Sequence, residues 1–402
     1  MDAFIIDATR TPIGRYGGAL SSIRTDDLAA LPIAALMARN SNIDWAAIDD
    51  VIYGSANQAG EDNRNVARMA SLLAGLPVSV PGETVNRLCA SGLASAVNGS
   101  RMLALGDADV VVAGGVENMT RGPWVMSKAS KAFGRDSSLY DSSFGWRFIN
   151  PKLETVYGVD GMGVTAENLV DKYSISRDDQ DAFAFRSHMK ATAARDSGRL
   201  AQEIIPVHIP RRKQDDLIFE HDEFIKPETT VQILAKLRPA FRKEGGSVTA
   251  GNSSGLNDGS AALLLANESG LSSSGLTPLA QIISSAVVGV EPRIMGIGPV
   301  HASEIALKRA GITFSDLDVI ELNEAFSAQA LACIRAWGLD DDDSRINPNG
   351  GGISIGHPLG VTGSRILLAA ARQLERTGGK YGLVTLCIGV GQGYAVVIKN
   401  TQ

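Results

Sequence analysis

The chain has 402 residues, of which 44% are hydrophobic and 20% are charged, with a formal net charge of -6. These values describe an ordinary globular protein with room for two or three domains, and its acidic balance argues against nucleic acid as a partner. The three cysteines, Cys89, Cys333 and Cys387, form no Cys-x-x-Cys pair. Neither a disulfide framework nor a metal site is therefore predicted.

Residues 1–7 read as a strand and not as a targeting peptide. The longest apolar stretch, residues 28–38, contains Pro32 and is too short to span a bilayer. We therefore expect a cytoplasmic protein with no membrane partner.

Strand-like and helix-like segments alternate along the chain. Apolar runs predict strands at residues 4–6, 51–53, 110–113, 319–322 and 383–386. Helical periodicity predicts helices at residues 27–39, 64–74, 91–105, 177–197, 303–310, 324–337 and 361–376. This alternation is typical of an α/β fold with buried, largely parallel strands.

A weak internal repeat relates the two ends of the chain. One offset of 268 residues carries both Cys89 onto His357 and Gly92 onto Gly360. The sequence thus predicts two copies of one α/β unit that face each other across a shared site. We assign residues 1–121 and 248–270 to the N-terminal core half, 122–247 to an inserted loop domain, and 271–402 to the C-terminal half. Residues 269–278, rich in Ser, Gly and Pro, are predicted to be a linker.

Cys89 immediately precedes a predicted helix. A thiol at a helix N-terminus lies near the positive end of the macrodipole, which favours the thiolate. Cys89 is therefore a candidate nucleophile, and the alternative is a buried cysteine that packs as a small hydrophobe. His357 holds the equivalent place in the second copy and can take the thiol proton. Its glycine-rich flank, residues 349–356, favours a close backbone approach over the alternative of a structural core histidine.

Cys387 ends a predicted strand and leads into Gly389, Gly391 and Gly393. Backbone N–H groups of such glycines can point into a cavity and hold developing negative charge. We interpret Cys387 as a proton carrier beside an oxyanion hole, because the segment lacks the spacing, following helix and acidic residue of a dinucleotide-binding motif. Asn323 follows the strand at 319–322 and can either orient a water or cap a helix.

Several segments together resemble the thiolase family over essentially the full chain. They are residues 86–92, 113–119, 252–259, 323–326, 356–360 and 387–389. Residues 57–69, 145–151 and 157–160 resemble the members that act on 3-oxoadipyl-CoA. The resemblance implies a thiolase-like fold, a duplicated five-layered α-β-α-β-α core with an inserted loop domain.

The resemblance implies a role for each candidate residue. Cys89 would take up the acyl group, His357 would activate Cys89, and Cys387 would protonate the departing acetyl-CoA carbanion. His357 and a water held by Asn323 would stabilise the enolate. The amides of Cys89 and Gly389 would stabilise the tetrahedral intermediate.

Coenzyme A is implied as a co-substrate, with no permanently bound cofactor and no metal. Ser254 matches the serine that contacts pantetheine, and Lys226 lies near a basic position for the nucleotide end. Ala325, Phe326 and Met162 complete the expected binding residues. Acyl-CoA and coenzyme A are thus the expected partners, in a homotetramer or a homodimer.

The implied reaction is thiolysis of 3-oxoadipyl-CoA to succinyl-CoA and acetyl-CoA. The alternative is an acetyl-CoA C-acetyltransferase or a broad 3-ketoacyl-CoA thiolase. Residues 161–164 resemble the acetoacetyl-CoA type more than the 3-oxoadipyl-CoA type. Two other functions fit the residues less well. A ketoacyl synthase would need a second histidine in place of Cys387. A protein that only binds acyl thioesters would not need Cys89, Cys387 and His357 together. A dicarboxylic product suggests a cation near the acyl end. Arg147 is the candidate, and its alternative is a surface arginine packed on aromatic rings.

Overall fold

The structure is a computed structural model that describes residues 3–402, so Met1 and Asp2 of the predicted first strand lie outside the described residues. Its strands are β1 (Phe4–Arg10), β2 (Gly14–Arg15), β3 (Asp50–Gly54), β4 (Glu83–Val85), β5 (Val110–Asn118), β6 (Trp124–Met126), β7 (Leu139–Asp141), β8 (Val207–Ile209), β9 (Leu217–Phe219), β10 (Asn257–Ala266), β11 (Ala280–Gly289), β12 (Val319–Leu322), β13 (Tyr381–Ile388) and β14 (Gln392–Asn400). Its α-helices are α1 (Thr25–Arg39), α2 (Val66–Leu73), α3 (Ser91–Leu105), α4 (Pro151–Tyr157), α5 (Met162–Tyr173), α6 (Arg177–Asp196), α7 (Val231–Ala235), α8 (Glu268–Ser274), α9 (Gly298–Ala310), α10 (Ser327–Ala336) and α11 (Leu359–Thr377).

Five layers stack around a central pair of helices. One buried cluster joins α3 and α11 to both halves of the sheet, through residues such as Leu93, Ile366, Val111 and Val384. A second cluster covers the outer face of the first half with α1 and α2. A third covers the outer face of the second half with α9 and α10. The predicted α/β fold with a duplicated α-β-α-β-α core is confirmed.

The main sheet runs in the order β12-β13-β14-β11-β1-β10-β5-β3-β4, with β2 paired to β10. Its two halves meet where β1 pairs with β11 over only two positions, Phe4 with Gln281 and Ile5 with Ala280. Each half contributes one central helix, α3 from the first and α11 from the second. The strands thereby bring the starts of α3 and α11 to the middle of the molecule.

The expectation of largely parallel strands is wrong. Among the described residues, the sheet has three parallel pairings, β12 with β13, β3 with β4 and β3 with β5. The other six pairings are antiparallel. They involve β10, β11 and β14, which were not predicted. All ten residues of β10 are buried, and a run buried on both faces has no period that separates strand from helix.

The predicted linker at residues 269–278 is partly helical. It contains most of α8, whose N-cap residue Asn267 accepts a hydrogen bond from the Gly270 N–H at 2.9 Å. Residues 122–247 contain two small hairpins, β6–β7 and β8–β9, together with α4 to α7. Their assignment as a separate loop domain stays a prediction. Across residues 3–402, every helix is too short or too polar to cross a bilayer.

Candidate active site

Cys89 lies in a single 3₁₀ turn, Leu88–Ala90, which leads into α3. The Ser91 hydroxyl fixes this turn, because it donates to the Leu88 carbonyl at 2.7 Å and accepts from the Arg87 N–H at 2.9 Å. Leu88 has a φ of +48°, a conformation that costs free energy for a residue with a side chain. The strained turn presents a thiol that is 9% exposed.

The electrostatic expectation for Cys89 is wrong. The position before α3 predicts a stabilised thiolate, but burial raises the pKa of Cys89 to about 11. Hydrogen bonds from the N–H groups of Gly389 and of Cys89 itself oppose this rise without overcoming it. The desolvation of the thiolate outweighs the effect of these N–H groups on the pKa, so the free thiol is neutral near pH 7.

Gly389 follows the end of β13 and reaches the nucleophile from the second half of the chain. Its N–H lies near enough to the Cys89 sulfur to oppose the rise in the pKa of the thiol. The next residue, Val390, has a φ of +64°, which is rare for a β-branched side chain. Strained backbone thus flanks the sulfur on both sides, at Leu88 and at Val390. Such strain collects at sites where a backbone amide must point in a set direction.

His357 is 5% exposed and follows Gly356, whose φ is +121°. A Cβ at Gly356 would lie 2.7 Å from Cγ of Asn257, so only glycine fits this close approach. The Asn257 side chain also accepts a hydrogen bond from the His357 N–H at 2.9 Å. These contacts hold the imidazole at the entrance to α11.

The hydrogen bonds of His357 define its tautomer. Nδ1 lies 2.6 Å from the Thr362 hydroxyl, which donates its own proton to the Pro358 carbonyl at 2.9 Å. With the single hydroxyl proton directed to Pro358, we assign Nδ1 as the donor and leave the lone pair on Nε2. Asn323 Nδ2 lies 3.4 Å from Nε2. Burial lowers the pKa of His357 to about 3, so the ring is neutral near pH 7.

Asn323 is fully buried directly after β12. The alternative role as a helix N-cap is wrong, because α10 begins at Ser327 and Phe326 holds the capping position. The predicted helix at 324–337 thus starts three residues too early. Asn323 Oδ1 has no hydrogen-bond partner among the described residues. An oxygen in this position can accept a hydrogen bond from a water or a ligand.

Cys387 is 1% exposed and packs in an apolar cluster with Met295, Ala325 and Phe326, bordered by Met162. Burial raises its pKa well above the usual value, and the proximity of Cys89 raises it further. The second thiol is therefore a neutral S–H group beside the first.

The expected coenzyme A residues are connected through a few contacts. Ser254 is joined to Ala325 by its N–H and its hydroxyl, which both donate to the Ala325 carbonyl, at 3.0 and 3.1 Å. Phe326 meets Phe241 edge to face, with ring centroids 6.0 Å apart. Lys226 Nζ lies 4.6 Å from the centre of the Phe224 ring, and a Cβ at Gly255, next to Ser254, would lie 2.6 Å from the same ring.

A cavity of about 230 Å³ opens at Cys89 and Gly389. Its apolar lining comes from both halves of the chain and from residues 122–247. The apolar side chains are Leu88, Phe144, Trp146, Met162, Leu359 and Val390. Polar groups of Asn57, Ser142, Ser143, Glu117 and Arg147 also reach this space. His357, Cys387, Asn323, Ser254 and Lys226 are not part of its lining.

Sequence reasoning assigned no role to Glu117 or Thr362. Glu117 is 2% exposed and accepts hydrogen bonds from the N–H groups of Ala56, Asn57 and Gly360, at 2.9, 3.0 and 2.8 Å. It therefore ties the cavity wall to the first turn of α11. No spacing in the sequence brings Glu117 near Gly360, 243 positions away. Thr362 could have been found, because it lies one helical turn into the helix that follows His357.

Comparison with known families agrees with this geometry. The model of the thiolase N-terminal domain matches residues 3–269, and that of the thiolase C-terminal domain matches residues 276–400. The chain belongs to the thiolase family. It is therefore an acyltransferase, and its family uses coenzyme A as a substrate.

This thiolase is similar both to proteins named as 3-oxoadipyl-CoA thiolases and to a protein named as an acetyl-CoA acetyltransferase. It is 54% identical to a beta-ketoadipyl-CoA thiolase of Acinetobacter baylyi over 99% of both chains. It is also 54% identical to the 3-oxoadipyl-CoA/3-oxo-5,6-dehydrosuberyl-CoA thiolase of Escherichia coli K12, again over 99% of both chains. The crystal structure of an acetyl-CoA acetyltransferase of Bacillus anthracis superposes with a TM-score of 0.91 at 40% identity, covering 99% of this chain and 98% of that one.

Proposed function

We propose that this thiolase cleaves 3-oxoadipyl-CoA with coenzyme A to give succinyl-CoA and acetyl-CoA. The observation that carries the reaction is the placement of Cys89, which lines a cavity together with Gly389, whose N–H lowers the pKa of the thiol. The substrate is supported by the two relatives at 54% identity, since both are named for this acyl group.

In the first step, His357 Nε2 takes the proton of Cys89, and the thiolate attacks the 3-keto carbon of the substrate. The amides of Cys89 and Gly389 stabilise the resulting oxyanion. When the oxyanion collapses, the bond between C2 and C3 breaks and its electron pair forms the enolate of acetyl-CoA. Cys387 donates its thiol proton to C2, and acetyl-CoA leaves. His357 and a water on Asn323 Oδ1 stabilise the enolate oxygen while it exists.

In the second step, the Cys387 thiolate takes the proton of the coenzyme A thiol. The coenzyme A thiolate attacks the acyl group on Cys89, and the bond between the acyl carbon and the Cys89 sulfur breaks. Protonated His357 returns its proton to Cys89, so every group regains its starting state. Both thiols begin neutral and buried, which suits a cycle in which protons move only when substrate is present.

The remaining residues of the proposal bind coenzyme A. Ser254, Ala325 and Phe326 form one connected group beside Cys387 and contact the pantetheine arm. Met162 lies at the start of α5, and its sulfur would be 3.7 Å from a Cβ at Gly389. Lys226 binds the nucleotide end. A homotetramer or a homodimer is the proposed assembly, which light scattering can test.

The decisive experiment compares several 3-oxoacyl-CoA substrates with the same enzyme. Loss of the magnesium-enolate absorbance on addition of coenzyme A reports thiolysis. We expect the highest kcat/KM for 3-oxoadipyl-CoA, above acetoacetyl-CoA and above longer 3-oxoacyl-CoAs. The likeness to the Bacillus anthracis acetyltransferase favours acetoacetyl-CoA as the second candidate. A higher kcat/KM for acetoacetyl-CoA would replace the proposed substrate, and no thiolysis at all would reject the proposed reaction.

A further inference from the structure

One guanidinium in the cavity has no carboxylate partner. Arg147 lies in the loop between β7 and α4 and lines the same space as Cys89. Its Nη1 donates to the Ser142 carbonyl at 3.2 Å. Its Nη2 donates to Asn57, to Oδ1 at 3.3 Å and to the carbonyl at 3.5 Å. Within residues 3–402 these acceptors are all neutral, so Arg147 forms no ion pair there.

The carboxyl group in the cavity is already hydrogen-bonded, and burial raises the pKa of Glu117 to about 7. Glu117 receives three backbone N–H groups, one of them from Asn57 at 3.0 Å. Asn57 therefore lies between the two side chains, since its N–H donates to Glu117 while its two oxygens accept from Arg147. Glu117 is thus committed to the backbone, and Arg147 remains available to an anion.

The guanidinium is held in place before any ligand arrives. A guanidinium has five N–H donors. Ser142 takes one proton of Nη1, and the two acceptors of Asn57 take Nη2, which leaves Nε–H and the second Nη1 proton free. A cation held in one orientation with free N–H donors can bind a carboxylate oxygen through a charge-assisted hydrogen bond. Because the side chain is already ordered, binding costs less conformational entropy than it would with a mobile arginine.

The rest of the cavity suits methylene groups. Phe144, Trp146 and Leu359 contribute apolar surface to the same lining. A short acyl chain attached to Cys89 would pack against these side chains. A chain that ends in a methyl group would leave the guanidinium without an anion, whereas one that ends in a carboxylate would pair with it.

We propose that Arg147, held by Asn57 and Ser142, binds the terminal carboxylate of the acyl chain and selects for acyl groups with an ω-carboxylate. This inference rests on the proposed thiolase reaction and assigns the residue that determines its acyl specificity. The sequence leaves two alternatives for Arg147, a cation that binds the acyl end of the substrate and a surface arginine packed on aromatic rings. The proposal selects the first, because Arg147 lines the cavity that contains Cys89.

The test uses two substrates of equal chain length, 3-oxoadipyl-CoA and 3-oxohexanoyl-CoA, which differ by a carboxylate in place of a methyl group. Arg147→Met keeps the bulk of the side chain and removes its charge. The ratio of kcat/KM for the two substrates should fall about 10- to 100-fold, as expected for loss of a charged hydrogen bond. Arg147→Lys should retain part of the ratio. Arg135→Met, at an exposed position of the same inserted segment, is the matched control and should leave the ratio unchanged.

Acetoacetyl-CoA thiolysis checks that each variant is folded. The acetyl group that this substrate transfers to Cys89 is too short to need the Arg147 guanidinium. An unchanged ratio in Arg147→Met would overturn the inference. An equal loss for all substrates would also overturn it, since Arg147 would then bind the phosphates of coenzyme A or support the loop.

A half-reaction separates failure of this inference from failure of the proposed function. Succinyl-CoA and butyryl-CoA can each acylate Cys89 without any carbon–carbon chemistry, and intact-mass measurement reports the acyl-enzyme. The wild-type preference for succinyl over butyryl should disappear in Arg147→Met. If the wild type fails to cleave 3-oxoadipyl-CoA but keeps this preference, the proposed substrate falls and the assignment of Arg147 stands. If the wild type shows no preference, the assignment falls.

Discussion

Gly92 and Gly360, which hold equivalent places in the two copies of the repeat, touch each other at the centre of the molecule. A Cβ added at Gly92 would lie 2.6 Å from the Gly360 carbonyl oxygen and equally close to the Ser364 hydroxyl. That hydroxyl also donates to the Gly92 carbonyl at 3.0 Å. The starts of α3 and α11 therefore pack backbone against backbone. This contact brings the turn of Cys89 next to the helix that follows His357.

Gly92→Ala should destabilise the protein, because the added methyl group meets backbone that cannot move without shifting α11. Overpacking of this kind costs about 1–3 kcal/mol. Urea unfolding at neutral pH measures the change in the free energy of unfolding. Gly289→Ala is the control, since its nearest contact would be 4.0 Å away and it should stay within about 0.5 kcal/mol of wild type. Equal stability of the two variants would contradict the proposed tight contact.

The elements around this contact could be predicted from the sequence because each has a strong local signal. The helix at 91–105 and the strand at 319–322 were predicted with their observed bounds. The strands β10, β11 and β14 were missed, and with them the antiparallel pairings. A strand buried on both faces lacks alternation, and its partners come from distant parts of the chain. Sheet direction is therefore a property of the assembled core.

The candidate site shows the same division between local and long-range information. A glycine within three residues of each marks Cys89, His357 and Cys387 in the sequence. The pKa of Cys89 could not be predicted, because burial depends on the whole core and outweighs the local helix terminus. Glu117 was overlooked for a similar reason, since its three N–H partners come from segments separated in the chain.

Thr362→Val should lower kcat about tenfold or more with a smaller change in KM. The valine keeps the shape of the side chain but removes the oxygen that accepts the His357 Nδ1 proton. The proton can then move to Nε2, which leaves no lone pair toward the thiol. Steady-state thiolysis measures the effect, and Thr362→Ser should restore most of kcat. Wild-type kcat in Thr362→Val would show that this hydroxyl does not set the tautomer.

Cys89 and Cys387 should fail at different steps when each is replaced by serine. Cys89→Ser should form no acyl-enzyme with acyl-CoA, as measured by intact mass. Cys387→Ser should still be acylated at Cys89 but should lose carbon–carbon cleavage, because no acid protonates the enolate. Exchange of the acetyl-CoA methyl protons with deuterated solvent should be lost as well. Wild-type turnover in either variant would contradict the role assigned to that thiol.

Alkylation of Cys89 in the free enzyme should depend steeply on pH. Only the thiolate reacts with iodoacetamide, and a pKa of about 11 leaves about one thiolate in 10⁴ at pH 7. The rate should therefore rise about tenfold per pH unit from pH 7 to 9, without a plateau. Peptide mass spectrometry assigns the label to Cys89 rather than to the other two buried cysteines. A plateau below pH 8 would mean that a thiolate–imidazolium pair exists before substrate binds.

The buried imidazole of His357 should make the wild type sensitive to acid. Its pKa is about 3 in the folded protein, below the ordinary value of 6.5 that holds after unfolding. As the pH falls below about 6.5, His357 binds a proton in the unfolded chain but not in the folded protein. The free energy of unfolding is therefore unaffected by His357 above that pH and declines as the pH falls toward 3. His357→Asn removes this contribution and should lose less stability than wild type between pH 7.5 and pH 5. Urea unfolding midpoints at the two pH values measure the difference. His208→Asn, at an exposed position of β8, should follow the wild-type curve, and equal losses in His357→Asn and wild type would show that the ring is protonated in the folded protein.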